Sequence, residues 1–278
     1  MPSLEENLRE KLVDDFSQRL LSGALQVIPD QANPIRLSQF AAAMRELFNY
    51  TLHTLAPDGN VTKCVWFKLE PGTASPTRRQ RAKYATQGGL SDEYVAEIGV
   101  DVEHLHDEAI AAIGEMSKYT HVRPGTLVED QGVIDAFVND AMTALLGLFS
   151  SFEHCRETVI EALVNEIDDE AVNALITETI QEVDQLSSHH SIEEVYVDKM
   201  RIVSLTQDAI SFEVTGSLAV ELQWGSNSDV RRGDGATLDQ SFPFTVTMCC
   251  PVDDVSTFYD VVYGVDTSEW TDRRDERD

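Results

Sequence analysis

The sequence predicts an α+β protein, an N-terminal helical domain followed by a small antiparallel β domain. Three observations predict it. Apolar residues recur at helical spacing from the start, first as Leu4, Leu8, Leu12, Phe16 and Leu20. Near residue 191 the period drops to two, most clearly in Ile210, Phe212 and Val214 and again in Leu218, Val220, Leu222 and Trp224. The 278 residues are 42% apolar, enough for a core in each of two modest domains. The expected division is a helical domain over 1–190, a β-rich accessory domain over 191–267 and a flexible tail over 268–278.

Each element has a local reason. Ser3 and Glu6 form a capping-box pattern that opens a helix over 3–22. Gly23, Pro29, Asn33 and Pro34 make 23–37 a connection. Ser38 is the expected cap of a helix over 39–55, which Pro57-Asp58-Gly59 stops. A short helix over 76–86 starts at Pro76, since proline suits a first turn, and Gly88-Gly89 ends it. Residues 101–119 are helical, and Pro124-Gly125 make a turn. Residues 130–151 are a strongly apolar helix. One or two helices follow over 154–187, with Asp168-Asp169-Glu170 as the expected break. Strands are expected over 192–202, 209–224, 244–248 and within 256–264. Gly216-Ser217 is expected to bend or bulge the second, and Gly225–Gln240 reads as a polar loop.

Charge and missing motifs exclude several functions. Forty-nine acids face twenty-one bases, a net charge of -28. Such a chain repels nucleic acid over most of its surface. A salt-loving host would favour the same composition. No phosphate-binding glycine loop, GxSxG or HExxH is present, which removes nucleotide-driven motors, common hydrolases and zinc proteases. Cys64, Cys155, Cys249 and Cys250 lie far apart or adjacent, so neither a cysteine zinc site nor a disulfide framework fits. No secretory leader and no run of 18 apolar residues occur, so no membrane span is expected. With reduced thiols, the reading is cytoplasmic.

Four groups of residues carry candidate chemistry. Lys63, Lys68, Arg78, Arg79, Arg81 and Lys83 are six bases against one acid, Glu70. Arg78, Arg79, Arg81 and Lys83 are the expected nucleic-acid contacts; internal pairing with carboxylates is the competing reading. His121, flanked by Lys118 and Arg123, is the expected acid/base group, with the two cations stabilising phosphorane charge. Cations complementing a helix C-terminus would look the same. Arg45, Asn49 and His53 form a polar stripe at i, i+4, i+8. Glu221-x-Gln223, with Asp208 or Asp198, resembles half of a two-carboxylate magnesium site without its lysine. His104 and His106 point in different directions on a helix. No metal-ligand set and no cofactor is assigned. Residues 157–198 carry twelve acids and no Lys or Arg, so this face, or the β domain, is the expected docking surface for a protein partner. The apolar helix 130–151 is the candidate homodimer interface.

Longer stretches carry a resemblance. They are Phe40–Asp58, with Met44-Arg45-Glu46-Leu47 and Leu55-Ala56-Pro57-Asp58, then Thr77–Ser91, Ser117–Thr126 and Val220–Ser226. Together they resemble the bacterial family of predicted pPIWI-associating nucleases, over about residues 38–250. That family is associated with prokaryotic conflict and phage-defence loci, so the resemblance implies a nuclease. The helical part is also similar to HEPN domains, helical ribonucleases and RNA binders, although the Arg45-to-His53 spacing is longer than their active motif. The expectation is a cytoplasmic nuclease acting on RNA in such a setting. The alternative is a non-catalytic acidic interaction protein, a sensor or the neutralising partner of a toxin.

Overall fold

In the computed structural model, which describes residues 3–177 and 180–270, Ser3 and Glu6 cap the first helix reciprocally. Helix α1 runs Leu4–Lys11. The single helix expected over 3–22 is two. Leu12 leaves helical geometry at φ -91° and ψ 91°. Asp14 then caps α2, Asp15–Gln26, by accepting from the Ser17 amide at 2.9 Å. The Gln18 side chain donates to the carbonyls of Arg9 and Leu12, which the break would leave unpaired. Leu12 and Leu21, nine residues apart and so on opposite faces of an unbroken helix, are both buried, whereas Phe16 of the expected stripe is exposed; the break reorients the second helix.

Helix α3, Arg36–Leu55, starts ahead of the expected Ser38 cap; its N-cap is Ile35, and Ser38 is buried in the first turn. Helix α4 is Asp58–Val61. Helix α5, Arg78–Gln87, is capped by Thr77 and Gln80 and ends at Gly88, whose φ of 55° favours glycine. Helix α6, Asp92–Glu97, capped by Ser91, had no apolar period to announce it. Helix α7 is Glu103–Tyr119, and a 3-10 turn follows at Pro124–Thr126. Helix α8 runs Gln131–Ala162 without interruption. Phe40, Met44, Leu47 and Phe48 of α3 form the centre of the core with Leu21, Ile113, Met116, Ile134 and Leu145. By length and composition α8 would suffice to cross a bilayer, which the lack of an 18-residue apolar run had seemed to exclude. Here its Ile134, Leu145 and Leu148 are fully buried in that core.

The chain forms two compact units, Met1–Thr158 and Val159–Asp278. The sheet begins close to the change of period, but its unit begins at Val159, so α9 and α10 belong with the strands. The helix break lies at Leu163; the acidic cluster 168–170 lies inside α9, Val164–Thr177. Helix α10 is Gln181–Asp184.

Strands β1 (His189–Leu205), β2 (Ala209–Trp224), β3 (Ala236–Pro251) and β4 (Tyr259–Val265) form one antiparallel sheet in that order. The stretch read as a loop instead holds helix α11, Asn227–Arg232, and the start of β3. Phe212, Val214, Leu218, Val220 and Leu222 of β2 share the buried face with Phe242, Phe244, Val246 and Met248 of β3. Helix α9 packs on β1 and β4.

The bulge expected at Gly216 is on the neighbouring strand. β2 pairs with β3 in unbroken register through Gly216, whereas β1 has three register shifts, one between Val197 and Lys199. Gly216 itself is required by close approach: a Cβ there would lie 2.0 Å from the Tyr196 carbonyl oxygen and 2.7 Å from the Phe244 ring. Of the expected tail, Ser268–Trp270 forms a helical turn, and Trp270 stacks on Trp224 at 6.2 Å and 14°. Residues 271–278 lie outside the described residues.

Candidate functional site

Helix α3 turns its apolar side to the core and leaves Arg45, Glu46, Asn49, Tyr50 and His53 on the other. In the helical unit Glu46, Asn49, Tyr50 and His53 build a groove of about 540 Å³, together with Phe16 of α2 and Ser75, Pro76, Arg78 and Arg81 at and just before the start of α5. Phe16 and Tyr50 are exposed and touch, with centroids 4.6 Å apart. The Arg78 Nε donates to the Asn49 side-chain carbonyl at 3.0 Å. Arg45 is held by Glu46 at 2.8 Å and reaches the Thr120 hydroxyl at 3.4 Å. The stripe of α3 is therefore met by the basic segment at Asn49 and by the 118–123 turn at Arg45.

The basic segment divides sharply. Arg81 is 2% exposed and donates to the Ala56 carbonyl at the end of α3 and to Asp58, both at 2.6 Å. That bond holds the Asp58 carboxyl below its usual range. Arg79 pairs with Asp107. Lys83 pairs with Asp92 at 2.7 Å and stands 4.8 Å from the centre of the Trp66 ring. Internal pairing thus engages three of the four cations expected on nucleic acid. Arg78 alone among them has no carboxylate partner among the described residues. Lys118 pairs with Glu115 on its own helix. His121 and Arg123 are exposed, and neither lines the α3 groove.

The β unit holds a second cavity, about 770 Å³, at the end of the sheet where β1 starts and β2 finishes. Its walls include His189, His190, Glu221, Gln223 and Arg231. The register pairs His189 with Gln223 and Ser191 with Glu221, so these four side chains share one face. His190 points to the other face, where its Nδ1 lies 3.0 Å from the Asp184 carboxylate of α10. Two bonds fix this end of β1: the Ser187 hydroxyl donates to the His189 carbonyl at 2.7 Å, and the Trp224 indole to the Leu186 carbonyl at 3.2 Å. Helix α11 begins with a Ser226–Asp229 capping box and ends at Gly233 in left-handed geometry, φ 81°. That geometry sets Arg231 on the rim. Among the described residues no group of three or more His, Cys, Asp or Glu side chains converges as a metal would require.

Two family models match the chain, both described as predicted pPIWI-associating nuclease. One covers residues 9–145 and the other 152–271, together nearly the whole sequence. The chain belongs to the predicted pPIWI-associating nucleases. No curated protein and no solved structure matches it.

For a member of this family, the residues that reading the sequence overlooked are informative. No fixed spacing joins a strand start to a preceding short helix, so the sequence does not announce His189, His190 and Asp184 as neighbours. The one available signal was the His189-His190 pair at the point where the period changes. Glu221 and Gln223, half of a two-carboxylate pattern in the sequence, share a cavity and a sheet face with His189, and Arg231 lines the same cavity. His53 was noted as part of a stripe. Its groove partners Phe16 and Arg78 come from other helices.

Proposed function

We propose that this family member is a nuclease acting on single-stranded RNA, in the prokaryotic conflict setting with which its family is associated. The α3 groove carries the reading. It places an exposed aromatic pair beside a guanidinium that has no carboxylate partner among the described residues, and beside the exposed imidazole of His53. Bases of a single strand stack on aromatic rings, worth about 1–3 kcal/mol per base, whereas a duplex keeps its bases buried. Arg78 is placed to bind a phosphate. Asn49 and Glu46 offer hydrogen bonds that a ribose 2′-hydroxyl can use. A chain of net charge -28 has no attractive long-range field, so short contacts of this kind must supply the affinity.

The test is fluorescence anisotropy with labelled single-stranded RNA, single-stranded DNA and duplex DNA, followed by cleavage of the same strands. Single-stranded RNA is expected to bind best. Tyr50→Ala and Arg78→Ala should each weaken it about tenfold, the scale of one lost stacking or charged contact. Lys118→Ala and His121→Ala should leave the affinity unchanged. Equal binding of duplex DNA, or full affinity in both groove variants, would sink the reading. So would the absence of cutting at high protein concentration.

A further inference from the structure

We infer that the α3 groove is also the cleaving centre, with Glu46 as the base that takes the ribose 2′-hydroxyl proton and His53 as the acid that protonates the leaving 5′-oxygen. The inference rests on the RNA reading above and gives that groove its chemistry. Cleavage of RNA through its own 2′-hydroxyl needs a base and an acid on opposite sides of one phosphate, because the entering and leaving oxygens lie in line through phosphorus. Glu46 and His53 are seven residues apart on α3, and both line the groove. Seven residues make almost two full turns, so the two side chains share a face about 10 Å apart along the axis. That leaves room for a phosphodiester between them, with a hydrogen bond of about 2.8 Å at each end and two phosphorus–oxygen bonds in the middle.

The residues around this pair fit the same placement. Asn49 lies between them on the helix, and Arg78 is anchored on it at 3.0 Å through Nε. The terminal nitrogens of Arg78 have no partner among the described residues, so its charge stands beside the midpoint, where the phosphate would lie. Both proton-carrying groups are open to a ligand. Glu46 Oε1 accepts from Arg45 at 2.8 Å, and Oε2 has no donor among the described residues. The His53 ring is exposed and makes no hydrogen bond among them. Asp58 is its charged neighbour: after the Arg81 bond, the charge of His53 helps to hold the Asp58 carboxyl below its usual range. Groups of differing role around one groove are what general acid–base catalysis requires.

The reaction needs no other reactant. Glu46 Oε2 takes the 2′-hydroxyl proton as the 2′-oxygen bonds to phosphorus. The bond from phosphorus to the 5′-oxygen breaks, and protonated His53 gives a ring proton to that leaving oxygen. Arg78 stabilises the charge on the non-bridging oxygens while phosphorus is five-coordinate. The products are a 2′,3′-cyclic phosphate and a 5′-hydroxyl end. Glu46 is left protonated and His53 neutral, and proton exchange with water resets both.

The full chain would be assayed in EDTA on a single-stranded RNA, on the same strand in all-deoxy form, and on an RNA whose scissile 5′-oxygen is replaced by sulfur. Product ends are identified by mass. Cutting is expected on the two RNAs only, leaving the cyclic phosphate. His53→Ala and His53→Gln should each lower kcat on ordinary RNA at least about 100-fold, the usual worth of an acid–base group, with RNA affinity unchanged. Circular dichroism of both variants confirms folding. A thiol ionises near pH 8.5 (about the value for cysteine), so sulfur leaves without a proton, and the sulfur strand should recover most of the kcat lost in His53→Ala. Glu46→Gln, which lacks the base, should be as slow on the sulfur strand as on ordinary RNA. Equal loss on both strands in His53→Ala would make His53 merely structural and overturns its role as the acid. Strict magnesium dependence, cutting of the deoxy strand, or full activity in His53→Ala or Glu46→Gln overturns the assignment. If the wild-type chain cuts nothing, the nuclease reading falls as well. If Tyr50→Ala and Arg78→Ala weaken RNA binding and His53→Ala cuts as fast as wild type, only this inference falls.

Discussion

His106 shows how a residue's neighbours decide its chemistry. On α7 it is buried, with its Nε2 at 2.8 Å from the Thr86 hydroxyl and 3.4 Å from that of Ser151. Burial, and after it the positive charge of Arg79, push its pKa from 6.5 down to about 4. The folded protein therefore holds His106 neutral while the unfolded chain binds a proton below pH 6.5. The resulting stability is complete above pH 6.5 and is lost as pH falls towards 4, amounting to about 3 kcal/mol. Urea midpoints measured across this window should fall with pH, and His106→Gln should flatten that part of the curve. Equal slopes in the two proteins would refute it. The same contrast separates Arg81 from Arg78. Three residues apart in sequence, one ties down the end of α3 and the other faces the groove.

At the scale of elements, capping and close approach decide what periodicity leaves open. The break after α1 is invisible to the apolar pattern because Leu4, Leu8, Leu12, Phe16 and Leu20 recur every four residues straight through it, although Phe16 is exposed in the fold. It was legible in Asp14 and Ser17, which form an N-cap. Residues 163–177 show the converse: the acidic cluster looked like a break, yet it sits in α9, where charges need only an exposed face. Gly216 makes the sharpest prediction. Gly216→Ala must displace the Tyr196 carbonyl or the Phe244 ring, and overpacking of this kind costs about 1–3 kcal/mol. Gly264→Ala in β4 meets nothing within 4 Å and serves as the control. A thermal midpoint that falls by several degrees for the first and not for the second is expected. Equal midpoints would show that β1 and β2 lie further apart at this point.

At the scale of the whole molecule, the charge balance sets how binding responds to salt. Each phosphate neutralised on a single strand contributes about -0.7 to the slope of log affinity against log salt. A basic arm with four free cations would give a slope near -3. With Arg79, Arg81 and Lys83 paired, and Arg78 left for phosphate, the expected slope is near -1. Anisotropy titrations from about 50 to 200 mM salt measure it directly. A slope of -3 or steeper would mean that those ion pairs open on binding.

Some of this protein was decided by its sequence alone. Apolar periodicity is a local record of which face is buried, so the helical stretch, the four strands and the α+β class were all legible. The blocks at 40–58, 77–91, 117–126 and 220–226, which carry the resemblance, all lie within the stretches that the two family models match. Other features only the tertiary structure decided. Ion pairing depends on which carboxylate lies within a few ångströms, so the sequence could not say that Asp58, Asp107 and Asp92 take up Arg81, Arg79 and Lys83. The groove draws on α2, α3 and α5, and the β1 cavity on two strands and α11, with Asp184 of α10 behind it. Such convergence follows from packing and strand register, which bring together residues that no spacing along the chain connects.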